Sequence, residues 1–101
     1  MIEIKIIAEF RVNADQTEAF KTLLGSALVD TRSFEGCRSV DIYEDSEKPV
    51  FYALSNWDSH SDYDKYLAWR TEEGIGDLLD PLLDGGFPDG FTVRKVLKTS
   101  L

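Results

Sequence analysis

Residues 49–70, PVFYALSNWDSHSDYDKYLAWR, join a strand pattern directly to a helix pattern. Successive side chains alternate across a strand, so positions 50–57 divide into two sets, one beginning at Val50 and the other at Phe51. Both sets are largely apolar, which is typical of a central strand that is covered on both faces. We therefore predict a buried strand with helices on one face and another covering on the other.

The helix that follows this strand is predicted from a start signal and from the spacing of its aromatic residues. Residues 58–61, Asp-Ser-His-Ser, are rich in side chains that accept hydrogen bonds from free backbone N–H groups at a helix start. Spacings of three and four then define one side of the helix. This side carries Tyr63, Tyr66, Leu67 and Arg70, with Trp69 near its border. The inward face of the helix is predicted to be aromatic.

Three further strands are predicted from alternation of apolar and polar side chains. The alternating segments are residues 2–12, 39–43 and 91–98. The polar residues 44–49 read as the tip of a hairpin that leads into the strand at 50–57. A short amphipathic turn, interrupted by Pro81, is expected before the last strand.

A first helix is predicted over residues 16–33, where apolar side chains recur at helical spacing. Asp15 and Glu18 have the Asp-x-x-Glu form of a capping box at its start. Gly25 lies inside this helix, and we interpret it as a point of close approach between helix and sheet.

The predicted element order is β-α-β-β-α-β, which is the α+β, ferredoxin-like arrangement of an antiparallel sheet with helices on one face. The 101 residues fit one domain, residues 1–101. Such a sheet leaves one face bare, and a second copy of the chain would cover it through a two-fold interface. We therefore predict a homodimer. The residues expected on or near the bare face are Ile7, Tyr43, Phe51 and Trp57.

Charge and composition exclude several classes of partner. The net charge is −8, from 11 Lys and Arg against 19 Asp and Glu, and it would repel phosphate backbones and anionic membrane surfaces. We expect neither a nucleic acid nor a membrane as partner. Cys37 is the only cysteine, so no intrachain disulfide can form, and this usage predicts a cytoplasmic protein.

Three local patterns stand out once the elements are placed. They are Phe10-x-Val12 before the first helix, residues 31–37 (TRSFEGC) at its end, and the Phe51 to Trp57-x-Ser59 junction. Together they resemble the antibiotic biosynthesis monooxygenase family, over about residues 4–70. The resemblance implies a dimeric α+β barrel. The family includes cofactor-independent oxygenases of quinols and polyketide aromatics, haem-degrading enzymes, and members without a known activity.

The same resemblance argues against the haem-degrading branch, which pairs an asparagine on the first strand with tryptophan and histidine on the second helix. Here the first strand has no asparagine before Asn13, and the only histidine, His60, lies at the start of the second helix. Many relatives carry a histidine on that helix where this sequence has Tyr66. The replacement favours a non-catalytic module as an alternative to an enzyme.

The candidate pocket combines aromatic rings with amide and guanidinium groups. Rings stack on a planar ligand, and asparagine or arginine hydrogen-bonds a carbonyl, a hydroxyl or a developing oxyanion. The predicted residues are, for catalysis, Tyr66, Asn56 and Arg70 and, for substrate binding, Trp69, Tyr63, Tyr52 and Arg94. The competing interpretation is that these residues only fill the core.

Other reactive side chains receive a structural interpretation. His60, beside acidic and hydroxyl residues at a helix start, is expected to be a solvent-exposed neighbour of the cap, and Cys37 a small apolar residue. The sequence has no Cys or His cluster with metal spacing, no Gly-rich phosphate loop and no Gly-x-Ser-x-Gly elbow. We predict no metal and no cofactor.

Two functions follow from these observations. The first is a homodimeric, cofactor-independent monooxygenase acting on a small aromatic, phenolic or quinol compound. In such chemistry the electron-rich anion of the substrate reduces oxygen, and the protein desolvates, orients and stabilises the oxyanion. The second is a non-catalytic dimeric module that binds a small hydrophobic ligand or another protein.

Overall fold

The computed structural model describes residues 3–101. Its strands are β1 (Ile4–Arg11), β2 (Cys37–Glu44), β3 (Val50–Trp57) and β4 (Phe91–Leu97). Its helices are α1 (Thr17–Ser33), α2 (His60–Glu72) and α3 (Ile75–Leu79). The strands form one antiparallel sheet in the order β2-β3-β1-β4. The predicted ferredoxin-like α+β fold is confirmed, and no helix of the described chain is long and apolar enough to cross a membrane.

One half of the core forms where α1 crosses the sheet. Phe10 pairs with Phe51 on β3 and with Phe91 on β4, so three rings lie in one row across the strands. Phe20 of α1 packs onto this row, with its ring centroid 4.9 Å from that of Phe51 and 5.2 Å from that of Phe10. The other buried residues of this cluster are Val12, Leu79 and Leu83.

Phe51 and Trp57 lie beneath the helices, which contradicts their predicted place on the bare face. Phe51 is 2% exposed and Trp57 is 3% exposed, each within a core cluster. The alternate set of β3 contains Tyr52 and Asn56, whose polar groups are more costly to bury than hydrocarbon rings. The sheet therefore turns Phe51 and Trp57 toward the helices and the more polar set outward.

The bare face of the sheet is mixed in character. Ile7 of β1 pairs with Leu54 of β3 at its centre, and the same row ends in Asp41 on β2 and Arg94 on β4. Ile7 and Tyr43 lie on this face as predicted, and Tyr43 is 55% exposed.

Helix α1 begins differently from the prediction. A 3-10 turn at Ala14–Gln16 precedes it. Asn13, at the N-cap of this turn, and Gln16, at the N-cap of α1, make no side-chain cap hydrogen bond. Asp15 lies within this turn, so it does not cap α1, and the predicted capping box with Glu18 is wrong. The side-chain amide of Asn13 instead donates to the carbonyl of Leu83, at 3.2 Å.

The start of α2 matches the prediction and connects two of the quoted sequence patterns. Ser59 is the N-cap, and its hydroxyl oxygen accepts a hydrogen bond from the backbone N–H of Asp62 at 3.0 Å. The backbone N–H of Asp58 donates to the carbonyl of Gly36 at 2.8 Å. Gly36 has φ of 92°, and a Cβ there would lie 2.6 Å from Cβ of Asp62. Only glycine fits this junction without strain.

Candidate functional site

A cavity of about 100 Å³ lies between the sheet and the three helices. Its floor includes Ala8 and Ala53, which pair across β1 and β3. The small side chains of these two alanines leave space above the middle of the sheet. On either side along the strands, large aromatic rings fill the corresponding space. Most of the lining is apolar. The side chains that bring polar groups to it are Thr31, Ser55, Tyr63, Tyr66 and Arg70.

Three of these polar side chains form a cluster between α1 and α2, the Thr31–Tyr66–Arg70 cluster. The Thr31 and Tyr66 hydroxyl oxygens are 2.6 Å apart. Arg70 Nε donates to the Tyr66 hydroxyl at 3.0 Å, and Nη2 donates to Thr31 Oγ1 at 3.1 Å and to the Ala27 carbonyl at 2.6 Å. These contacts orient each side chain against the other two.

The direction of the hydrogen bonds in this cluster shows which donor hydrogens and acceptor lone pairs remain for a ligand. The Thr31 hydroxyl also lies 3.1 Å from the carbonyl of Ala27, to which it donates its single hydrogen. Tyr66 then donates to Thr31 and accepts from Arg70, which satisfies every contact in the cluster. One lone pair of the Tyr66 oxygen and the Nη1 hydrogens of Arg70 have no assigned partner in residues 3–101.

Aromatic rings form the adjoining wall of the cavity. The ring centroid of Trp57 is 5.3 Å from that of Tyr66 and 5.5 Å from that of Tyr63. The indole N–H of Trp57 donates to Ser55 Oγ at 2.9 Å, so its polar group is satisfied inside the core. Burial raises the pKa of Tyr63 above its usual range, and the nearby Tyr66 and Asp64 raise it further. Tyr63 is therefore a neutral phenol at physiological pH.

Trp69 lies behind the cluster, outside the cavity lining. Its ring is 4.7 Å from the guanidinium carbon of Arg70 and 5.6 Å from the ring of Phe34. A cation held over the face of an indole is stabilised by the ring quadrupole. Trp69 therefore holds Arg70 in place, and the prediction that it contacts the ligand is not supported by its position.

The sheet divides the predicted site residues into two groups. Tyr63, Tyr66 and Arg70 share the cavity. Tyr52, Asn56 and Arg94 alternate with helix-facing positions of β3 and β4, so they lie on the bare face. Asn56 donates from its amide to Ser39 Oγ there, at 2.8 Å. A single pocket that contains both groups is excluded.

Thr31, Ser55 and Trp57 line the cavity and were not predicted as site residues. Thr31 follows Ala27 and Leu28 at helical spacing, and Ser55 falls in the otherwise apolar set of β3 that ends at Trp57. A small polar residue at an apolar position was the available signal, because burial requires such a residue to find a partner.

The remaining reactive groups lie outside the cavity. His60 is half-buried, and its Nε2 is enclosed without a hydrogen-bond partner among the described residues, so the prediction of a solvent-exposed histidine was wrong. Burial raises the pKa of the Cys37 thiol, while the Arg32 charge and a backbone hydrogen bond oppose the rise. Within residues 3–101, no group of three or more His, Cys, Asp or Glu side chains is arranged to hold a metal ion.

Residues 3–74 match the family model described as antibiotic biosynthesis monooxygenase. The chain belongs to this family. Rv0793 of Mycobacterium tuberculosis, named as a candidate monooxygenase, is 29% identical over 82 residues, which are 75% of this chain and 79% of that protein. The resemblance suggested by the three sequence patterns is confirmed.

Several solved structures of other proteins have the same fold as this chain. Rv0793 superposes with a TM-score of 0.64 at 25% identity, over 98% of this chain and 95% of that one. A conserved protein from Methanosarcina mazei Go1 gives 0.79 at 23% identity, over 95% and 92%. A structure described as an antibiotic biosynthesis monooxygenase gives 0.76 at 19% identity, over 97% and 98%.

Proposed function

We propose that this protein is a cofactor-independent monooxygenase acting on a small aromatic, phenolic or quinol compound. The observation that carries the proposal is an apolar cavity of about 100 Å³ with the Thr31–Tyr66–Arg70 cluster in its wall. Apolar walls desolvate a planar ring, and one polar cluster orients an oxygen substituent. Family membership and the name of Rv0793 support the same reaction class.

The proposed chemistry requires little covalent participation from the protein. A deprotonated phenol or quinol supplies the electrons that reduce dioxygen, so one oxygen atom enters the product and the other leaves as water. Arg70 stabilises the negative charge on the substrate oxygen through its Nη1 hydrogens, and the Tyr66 hydroxyl positions Arg70 by accepting a hydrogen bond from its Nε. Tyr63 contributes packing and a neutral hydroxyl.

Oxygen uptake with a panel of quinols tests this function. The wild-type protein should consume oxygen with at least one quinol, and Tyr66→Phe should slow the reaction by roughly tenfold to a hundredfold, because one buried hydrogen bond is lost. Thr22→Val removes an exposed hydroxyl on α1, away from both the cavity and the bare face, and should leave the rate unchanged. Absence of uptake with every quinol that binds would contradict the proposal.

One observation favours the alternative of a non-catalytic binding module. Among the described residues, the cavity lining contains no histidine, aspartate or glutamate, so no ordinary general base from this part of the chain faces it. A binding module would saturate with the same quinols, as followed by calorimetry, and would release each of them unchanged.

We propose that the protein works as a homodimer formed through the bare face. A two-fold axis along the strands would place Asp41 of one copy opposite Arg94 of the other, and Leu54 opposite Ile7. An axis across the strands would instead place Asp41 opposite Asp41 of the other copy, and Arg94 opposite Arg94. Charge complementarity therefore supports the axis along the strands. Tyr52, Asn56 and Arg94 are assigned to this interface instead of the cavity.

The proposed location is the cytoplasm. Cys37 is the only cysteine, so the chain cannot form an intrachain disulfide. A single cysteine without an intrachain disulfide partner suits a reducing compartment.

A further inference from the structure

The charge of Arg70 is not neutralised within the described chain. No carboxylate of residues 3–101 forms an ion pair with it, whereas Arg38 pairs with Asp58 and Arg11 pairs with Glu9. The chain has 19 acidic residues, so a shortage of carboxylates is not the cause. A half-buried cation therefore faces the cavity with its charge available.

Neutral groups hold this cation in place. Its nitrogens donate to the Ala27 carbonyl and to the hydroxyls of Thr31 and Tyr66, and its carbon lies 4.7 Å from the Trp69 ring centroid. Such contacts restrict the side chain before any ligand arrives, which lowers the entropic cost of binding. The attraction between this charge and an anion beside the apolar wall is also stronger than it would be in water, because the dielectric constant is lower there.

The cavity has no ordinary base to ionise a ligand after it enters. Within residues 3–101, no aspartate, glutamate or histidine lines it, and burial keeps Tyr63 protonated. A ligand that carries negative charge in the cavity is therefore best supplied already ionised. Carboxylates meet this condition at neutral pH, and their oxygens match the N–H geometry of a guanidinium.

The size of the cavity favours a ligand with one ring over a ligand with fused rings. Its volume is about 100 Å³. A cavity of roughly 150 Å³ binds benzene in an engineered protein. The cavity is smaller than this, so even a single ring requires its walls to move outward, and fused rings would require a larger movement.

We propose that the cavity selects single-ring aromatic compounds that are already anionic over their neutral counterparts, with the anionic oxygen, phenolate or carboxylate, on Arg70. This rests on the proposed function in taking the cavity as the substrate site, and it narrows the substrate to compounds that are ionised before they bind. The Ser55 hydroxyl accepts from the Trp57 indole and donates to the Ile6 carbonyl, at 3.5 Å, so it does not compete with Arg70 for the charged group.

Calorimetric titration with benzoate and benzamide tests the proposal, because the two probes share a ring and a similar size but differ in charge. Wild-type protein should bind benzoate about ten- to a hundredfold more tightly than benzamide at neutral pH. Arg70→Gln should remove this preference by weakening benzoate alone. Arg32→Gln makes the same change in net charge on α1, outside the cavity lining, and should retain the preference. A fused-ring naphthoate should bind more weakly than benzoate.

The wild-type comparison remains decisive if Arg70→Gln does not fold, and Arg70→Lys then serves as a second variant that should keep part of the preference. Equal affinity of wild-type protein for benzoate and benzamide would overturn the proposal, as would a preference that survives in Arg70→Gln. The test needs no turnover. Quinol oxidation without anion preference would therefore contradict only this proposal, and anion preference without oxidation would contradict only the monooxygenase.

Discussion

Thr31 and Ser55 are the buried polar residues of the described core, at 6% and 5% exposure. Each hydroxyl serves an aromatic wall of the cavity: Thr31 contacts the Tyr66 hydroxyl, and Ser55 accepts from the Trp57 indole. Removal of either hydroxyl would leave a buried donor without an acceptor. At the scale of single residues, the shape of the cavity therefore depends on two small hydroxyls.

Thr31→Val should lower the free energy of unfolding by about 1–3 kcal/mol, because the Tyr66 hydroxyl and one Arg70 N–H lose their acceptor. Chemical denaturation measures the change. Thr22→Val is the matched control: Thr22 lies on the same helix, makes the same bond to the carbonyl four residues earlier, and is exposed. It should change stability by less than about 0.5 kcal/mol. Equal effects at the two positions would contradict the role given to Thr31.

At the scale of elements, the start of α2 depends on residues close in sequence, whereas the role of each glycine depends on its surroundings in the fold. Ser59 caps α2 through a bond to Asp62, a relation between residues three apart. Gly25 of α1 is exposed, and a Cβ at this position would meet nothing within 4 Å. The interpretation of Gly25 as a point of close approach was therefore wrong. Gly36, before β2, is the glycine that the packing of α2 requires.

Gly25→Ala should stabilise the protein by up to about 1 kcal/mol, because alanine has the higher helix propensity and the site has room. Thermal unfolding should show a higher Tm. Gly36→Ala is the opposing case and should lower Tm, since its φ is 92° and its Cβ would overlap Asp62. A lower Tm for Gly25→Ala would contradict the prediction, because it would mean that α1 has no room for a Cβ at position 25.

The whole molecule has an apolar core on one side of the sheet and an open, mixed surface on the other. Ile7 and Leu54 lie at the centre of that surface, between Asp41 on one edge and Arg94 on the other. Because the edge charges are opposite, a second copy related by an axis along the strands would match them twice.

Arg94→Glu should raise the dissociation constant of the proposed dimer by at least about tenfold, because each Asp41 would then face a like charge. Sedimentation velocity at micromolar concentration measures it. The double variant Asp41→Lys with Arg94→Glu should restore the dimer. Arg32→Glu, which makes the same charge change on α1, should leave the dimer intact. A wild-type monomer, or a double variant that stays dissociated, would refute the proposed interface.

The order of elements could be predicted from the sequence because helical and strand periodicities are local properties of the chain. Alternation also divided β3 correctly into its Val50 and Phe51 sets. It did not tell which set faces the helices, since both are largely apolar, and only the packed sheet turned Phe51 and Trp57 inward. The candidate site is likewise tertiary. Ala8 and Ala53 leave a cavity because strand register pairs them, and Thr31 meets Tyr66 and Arg70 across 35 and 39 residues of chain because α1 and α2 pack side by side. No local pattern encodes contacts of such separation.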